Sequence, residues 1–119
     1  MGTQAFKCPE MWEKARFYGD KADIFSLGVI LFKLVTGEDA FETAKSSDEL
    51  YKLIIDNNFS SYWEKFGLTD FSEDFKELYK MMIHYDAKER WTIDKVLESD
   101  WLKEIDNLSE DEEKKIKKN

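Results

Sequence analysis

The most apolar run of the chain is Asp23-Ile24-Phe25-Ser26-Leu27-Gly28-Val29-Ile30-Leu31-Phe32-Lys33-Leu34-Val35. Ile24, Leu27, Leu31 and Leu34 make one stripe at helical spacing, and Phe25, Val29, Phe32 and Val35 occupy the other side. A helix that is apolar all round is a buried helix. The pattern therefore predicts a central pillar, capped at Asp20 and closed at Thr36-Gly37, where glycine suits a left-handed exit. It places one acid, Asp23, in a buried first turn. A bilayer span needs ~20 apolar residues, and this run is too short and too interrupted by Ser26, Gly28 and Lys33 to supply them.

The remaining periodicity is also helical. Pro9, the only proline, stands where a short helix can start, because the first turn has no use for its missing N–H. Glu10 follows at the positive end of that helix. Ser46-Ser47-Asp48-Glu49 reads as a capping box, Ser46 with Glu49, ahead of a helix with Leu50, Tyr51, Ile54 and Ile55 apolar. Phe59 to Gly67 carries Tyr62, Trp63 and Phe66 on a loop or short helix whose aromatic rings are expected in the core. Ser72 caps a helix in which Phe75, Leu78, Tyr79 and Met82 fall at i, i+3, i+4 and i+7. Thr92 caps another with Ile93, Val96 and Leu97 inward. From Ser109 on, acids give way to lysines without an apolar stripe, as expected of a solvated helix or a disordered tail. No strand pattern, internal repeat or glycine-rich phosphate loop is present, so the expected fold class is all-α.

Composition narrows the classes. The 119 residues suffice for one domain. Hydrophobic content of 42%, with 15% aromatic, indicates a folded domain rather than disorder. A net charge of -8 disfavours nucleic acid or an anionic membrane surface as partner. The single cysteine, Cys8, excludes an internal disulfide framework and suits a reducing compartment. With no basic-then-apolar leader before Gly2, the expected location is intracellular, in cytoplasm or nucleus.

Four short signatures, in order and at matching spacing, carry a resemblance. Gly2-Thr3 followed by Cys8-Pro9-Glu10 resembles the end of the activation segment of protein kinases, Gly-Thr ahead of Ala-Pro-Glu. Asp23-Ile24-Phe25-Ser26-Leu27-Gly28 resembles the D-x-W-S-x-G signature of the kinase F helix, with Phe25 in place of tryptophan, and residues 29–37 continue the likeness. Asp86-Ala87-Lys88-Glu89-Arg90-Trp91-Thr92 resembles D-P-x-x-R-x-T, and Asp100-Trp101-Leu102 the closing H-x-W. The match covers 2–105 and is most similar to calcium/calmodulin-dependent kinases and related ciliate- or alga-type kinases. It implies the C-terminal helical subdomain of the protein-kinase-like fold, truncated before the catalytic loop, over 1–105, with a charged tail over 106–119.

That resemblance assigns roles. Glu10 and Arg90 would form a buried ion pair. Asp23 would accept hydrogen bonds from the catalytic loop's backbone, and Gly28 and Pro9 belong to the signatures that hold the scaffold. Thr3 would bridge the catalytic aspartate and lysine. Gly2, Gln4, Ala5, Phe6 and Lys7, with Cys8, would shape the pocket for the substrate residue after the phosphoacceptor. The Gly-Thr form implies serine/threonine specificity, with ATP and magnesium as cofactors of the complete family domain.

Phosphoryl transfer needs a phosphate-covering loop, a strand lysine, a catalytic aspartate and metal-binding residues. In kinases all of these precede the Gly-Thr element with which this chain begins, so catalytic, cofactor-binding and metal-binding residues are expected to be absent. His84-Tyr85-Asp86 imitates the catalytic His-Arg-Asp, but Trp91 stands where asparagine is required. Asp70-Phe71-Ser72 imitates Asp-Phe-Gly out of order, and Ser72 reads as a cap. Cys8 stands in the small-residue place of alanine.

Two functions of different class remain open. One is a serine/threonine kinase fragment, inactive alone, whose partners are protein substrates, kinase regulators or the missing part of the domain. The other is a non-catalytic, pseudokinase-like binding module docking through the Ser46–Asn58 helix and the Gly2–Glu10 loop. An accidental match by an unrelated helical bundle is the third alternative. Under the kinase resemblance, the central helix lacks the elements that normally cover it. Its apolar side would then drive aggregation or partner binding, leaving the isolated chain poorly soluble or loosely ordered.

Overall fold

A computed structural model describes residues 5–13, 18–68 and 70–105. Its elements are α1 (Pro9–Glu13), α2 (Gly19–Thr36), α3 (Glu49–Ile55), α4 (Phe59–Lys65), α5 (Glu73–Met82) and α6 (Ile93–Leu97), followed by a helical turn over 100–105. Among the described residues there is no strand, and no helix is long and apolar enough to cross a membrane. The charged tail expected over 106–119 lies outside the described residues.

Helix α2 organises the rest. Its C-terminus is closed by Gly37 at φ 78°, whose N–H reaches Lys33 O at 2.9 Å. Gly28 lets α5 approach closely: a Cβ there would sit 2.9 Å from both Ile83 Cγ2 and Met82 Cβ. Phe32 carries the aromatic core, its ring 4.8 Å from Tyr79 and 5.2 Å from Phe66. The rings expected from the Phe59–Gly67 stretch do enter that core, on α4, with Tyr62 and Trp63 both buried. The phenols there are paired, as buried hydroxyls need to be. Tyr62 Oη lies 2.8 Å from Tyr79 Oη and donates to Ala40 O at 3.0 Å. A second, smaller cluster joins Ile24, Leu78, Met82 and Val96, with Trp91 and Trp101 against it.

Four local expectations need correction. First, α2 is buried on one side only. Phe25, Val29 and Phe32 are inside, whereas Leu27, Ile30 and Leu34 are 45%, 41% and 76% exposed, and Asp23 is exposed as well. Periodicity reports which faces are apolar; burial also needs a neighbour, and none of the described elements lies over that face. Second, Asp20 does not cap α2. The N-cap is Tyr18, without a side-chain cap bond, and Asp20 lies within the first turn. A carboxylate there still favours the positive helix end. Third, Asp48 rather than Ser46 caps α3. Asp48 Oδ1 accepts from Leu50 N and Tyr51 N, and Oδ2 from Glu42 N and Thr43 N, all at 3.0 Å. A carboxylate has two acceptor oxygens, so one residue closes both the connector and the helix, which a serine hydroxyl could not do. Ser72 and Thr92 cap α5 and α6 as expected, and Pro9 opens α1. Fourth, Ile93 and Leu97, expected inward with Val96, are exposed, and Val96 alone of α6 is buried.

Candidate substrate-facing loop and its anchor

The candidate site is the segment ahead of α1 together with the ion pair that fixes it. Gly2, Thr3 and Gln4 lie outside the described residues. Ala5 and Cys8 point inward at 1% and 0% exposure, while Phe6 and Lys7 face outward. The two inward residues pin the segment to the core, so the outward ones are presented on a fixed backbone. Ser26 of α2 adds a tie, its hydroxyl donating to Phe6 O at 2.8 Å. Beside it, Phe6 borders a shallow cleft with Val29, Lys33, Asp39 and Phe41. Lys33 and Asp39 form an exposed ion pair there at 3.3 Å.

The residues that the resemblance pairs, Glu10 and Arg90, meet. Arg90 Nη1 donates to Glu10 Oε2 at 2.7 Å and Nη2 to Glu10 Oε1 at 2.6 Å, with 2% and 7% exposure for the two residues. Arginine carries five N–H donors and no acceptor. The other three go to backbone carbonyls: Nε to His84 O at 2.7 Å, Nη1 also to Lys21 O at 3.3 Å, and Nη2 also to Tyr85 O at 3.4 Å. The guanidinium carbon stands 5.0 Å from the Phe25 ring centroid, a cation–π placement. Lys21 Nζ in turn donates to Arg90 O. One buried cation thus ties α1, the start of α2 and the turn after α5.

The protonation states follow from these contacts. Burial alone would raise the Glu10 pKa, but hydrogen bonding from Arg90 and its charge outweigh this and hold the carboxyl below its ordinary value. The Cys8 thiol is pushed up, first by burial and then by the neighbouring Glu10 carboxylate. It is therefore a thiol rather than a reactive thiolate. Tyr85 donates to Glu13 Oε2, and that bond, with some burial, raises its phenol pKa.

The two imitations of catalytic strings are local structure. His84 Nδ1 accepts from Asp86 N at 3.0 Å, and Asp86 Oδ1 accepts from Lys88 N at 3.0 Å, so both side chains close the turn that leads to Arg90. Ser72 caps α5, accepting from Phe75 N at 3.3 Å. Asp23 bonds to nothing among the described residues. Among them, too, no group of three or more His, Cys, Asp or Glu is placed to hold a metal ion. Two contacts escaped sequence reasoning: the Ser26–Phe6 tie, and Trp12, whose ring lies beneath both Lys7 and Lys45. Nothing local in the sequence signals either.

A helical lobe built round one apolar helix and braced by a buried arginine–glutamate pair defines a class that comparison makes explicit. The protein kinase domain profile matches residues 1–102, and the chain belongs to that family. Its described helices correspond to the C-terminal helical lobe of the kinase fold. Among curated proteins it is similar to CBL-interacting protein kinase 12 of Oryza sativa subsp. japonica, 36% identical over 103 residues, covering 86% of this chain and 18% of that protein. It is also similar to calcium-dependent protein kinase 12 of the same plant, 36% identical over 107 residues, covering 87% and 19%. Calcium-dependent protein kinase 5 of Plasmodium berghei (strain Anka) is 31% identical over 112 residues, covering 92% and 18%. Among solved structures, the crystal structure of Rad53 kinase domain and SCD2 matches with a TM-score of 0.62 and 29% identity, over 85% of this chain and 37% of that one. The chain thus spans about a fifth of the length of these curated relatives.

Proposed function

We propose that the chain supplies the substrate-facing and scaffold part of a serine/threonine kinase domain, and that these 119 residues alone neither hold ATP–Mg nor transfer phosphate. The observation that carries this reading is the Glu10–Arg90 anchor, which fixes Pro9-Glu10 and hence the preceding loop. In that reading Ala5 and Cys8 hold the backbone, and Phe6 and Lys7, with Gly2 and Gln4, meet the peptide residue after the phosphoacceptor. Thr3 meets catalytic side chains that other residues must provide.

Phosphoryl transfer depends on positioned metal ions and a group that orients the nucleophile. The residues described do not fit such a group: of the acids resembling the catalytic strings, Asp86 closes a turn, and Asp70 lies two residues ahead of the Ser72 helix cap. The exposed side of α2 fits a further role. Asp23, an acceptor without a donor among the described residues, stands with Leu27, Ile30 and Leu34 on the helix face that no other described element covers. A polypeptide with free backbone N–H groups and apolar side chains is the complement of that face, as the rest of a kinase domain would be. An intracellular setting, cytoplasmic or nuclear, suits the free thiol of Cys8.

The test is a pair of titrations on the purified chain. Serine-containing peptides are expected to bind, whereas ATP–Mg gives no heat of binding. Peptide-dependent phosphate transfer by this chain would overturn the reading. The second reading, a non-catalytic binding module, is favoured by the same α2 face. It is distinguished by capture of a kinase regulator without any substrate peptide binding.

A further inference from the structure

The ring of Trp12, on α1, is shared by two cations from distant parts of the chain. Lys7 Nζ lies 4.2 Å and Lys45 Nζ 4.1 Å from it. Both lysines are exposed, and neither has a carboxylate partner among the described residues. In a chain with 26 acids against 18 bases that is unexpected, because two like charges drawn to one ring repel each other and a carboxylate would relieve them. The Trp12 indole Nε1 is covered yet bonds to nothing among the described residues, although buried donors are nearly always paired. Two unpaired ammonium groups and an unpaired N–H therefore sit round one rigid aromatic plate, with no acceptor supplied by the described residues.

We propose that Lys7, Lys45 and Trp12 form a site for an anionic side chain on a bound polypeptide, and specifically for a phosphorylated serine or threonine. A phosphate carries nearly two negative charges and three strong acceptor oxygens, matching two cations and one further donor better than a single carboxylate does. Each ammonium can exchange its cation–π contact for charge-assisted hydrogen bonds to the anion, and the unpaired indole N–H offers a third donor as the site rearranges round it. Lys7 directly follows Phe6 in the loop proposed to face the substrate, so the favoured peptide carries its anion C-terminal to the acceptor residue. The proposal rests on that substrate-facing assignment and names the class of substrate it selects.

The test uses the ¹⁵N-labelled chain, whose four tryptophans each carry one indole N–H, with the Trp12 signal identified by its loss in Trp12→Phe. Inorganic phosphate is titrated first. Matched short peptides follow, in which the acceptor serine is followed at one of the next positions by serine or by phosphoserine. Phosphate and the phosphopeptide should both move the Trp12 indole signal, and the phosphopeptide should bind about tenfold more tightly than its unmodified twin. Lys7→Gln or Lys45→Gln should each remove most of that preference, and Lys7→Arg should keep it. Equal binding of the two peptides, with a static indole signal, overturns the anion site and leaves the substrate-facing assignment standing. Failure of both peptides and of phosphate overturns both. An indole response to phosphate without preference for the phosphopeptide overturns the proposal, as does a preference that survives Lys7→Gln and Lys45→Gln.

Discussion

Replacing Glu10 by glutamine keeps the size of the side chain but leaves the Arg90 charge inside the protein without its counter-ion. Removing one member of a buried pair costs ~3–5 kcal/mol, because the remaining charge stays desolvated. Against the ~5–15 kcal/mol that holds a typical domain folded, that is about a fifth of the total or more. With a urea slope of ~2 kcal/mol/M, the midpoint should fall by about 2 M. Arg90→Met should cost more. It strands the Glu10 carboxylate and also the carbonyls of His84, Lys21 and Tyr85, each unpaired acceptor adding ~1–3 kcal/mol. Once Arg90 is gone, Glu10→Gln removes a stranded charge rather than creating one. In the Arg90→Met background it should therefore cost far less than in the native chain, or be favourable. The assay is urea unfolding followed by circular dichroism for the two single variants and the double variant. A loss under ~1 kcal/mol for Glu10→Gln, or simple additivity, would refute the view that this pair is the anchor.

Other consequences are independent of that cycle. Since the folded-state pKa of Glu10 lies below its ordinary value of 4.5, its contribution is complete above about that pH and is lost as pH falls through the folded value. The acid limb of stability against pH should therefore flatten in Glu10→Gln. Gly28→Ala should destabilise by ~1–3 kcal/mol in thermal unfolding, since Met82 Cβ cannot swing aside and the crowding outweighs the ~1 kcal/mol gained in helix propensity. Asp48→Ala, which releases four backbone N–H groups, should cost ~2 kcal/mol or more, whereas Ser46→Ala should be nearly neutral. Leu27→Gln combined with Leu34→Gln should leave the unfolding midpoint almost unchanged and reduce self-association in sedimentation. An unchanged association profile would mean that this face is not the adhesive one.

Short-range features were legible in the residues. The Phe75, Leu78, Tyr79, Met82 stripe is buried as its spacing predicts; Ser72 and Thr92 begin their helices, and Gly37 ends α2, where local chemistry puts them. Contacts that close over long stretches were not. Ser46 and Asp48 both stand ahead of α3, and the choice between them is made by the Glu42 and Thr43 amides, which the connector folds back onto Asp48. The Glu10–Arg90 pair spans 80 positions; it was readable only through the kinase signatures, never from spacing. The all-round apolar character of α2 described what that helix can bury, and the packing of its neighbours decided which half it does bury. Lys45 over Trp12 had no sequence signal at all.

The central assignment is a substrate-facing lobe without chemistry of its own, and one incubation tests it directly. The purified 119-residue chain is mixed with magnesium, ATP labelled at the γ-phosphate and a mixture of serine- and threonine-containing peptides, and label on the peptides is counted after the chain is shown to bind them. Peptide binding with label no higher than in the protein-free blank is the predicted result. Label that accumulates in proportion to the amount of chain, and disappears with Glu10→Gln, would contradict it.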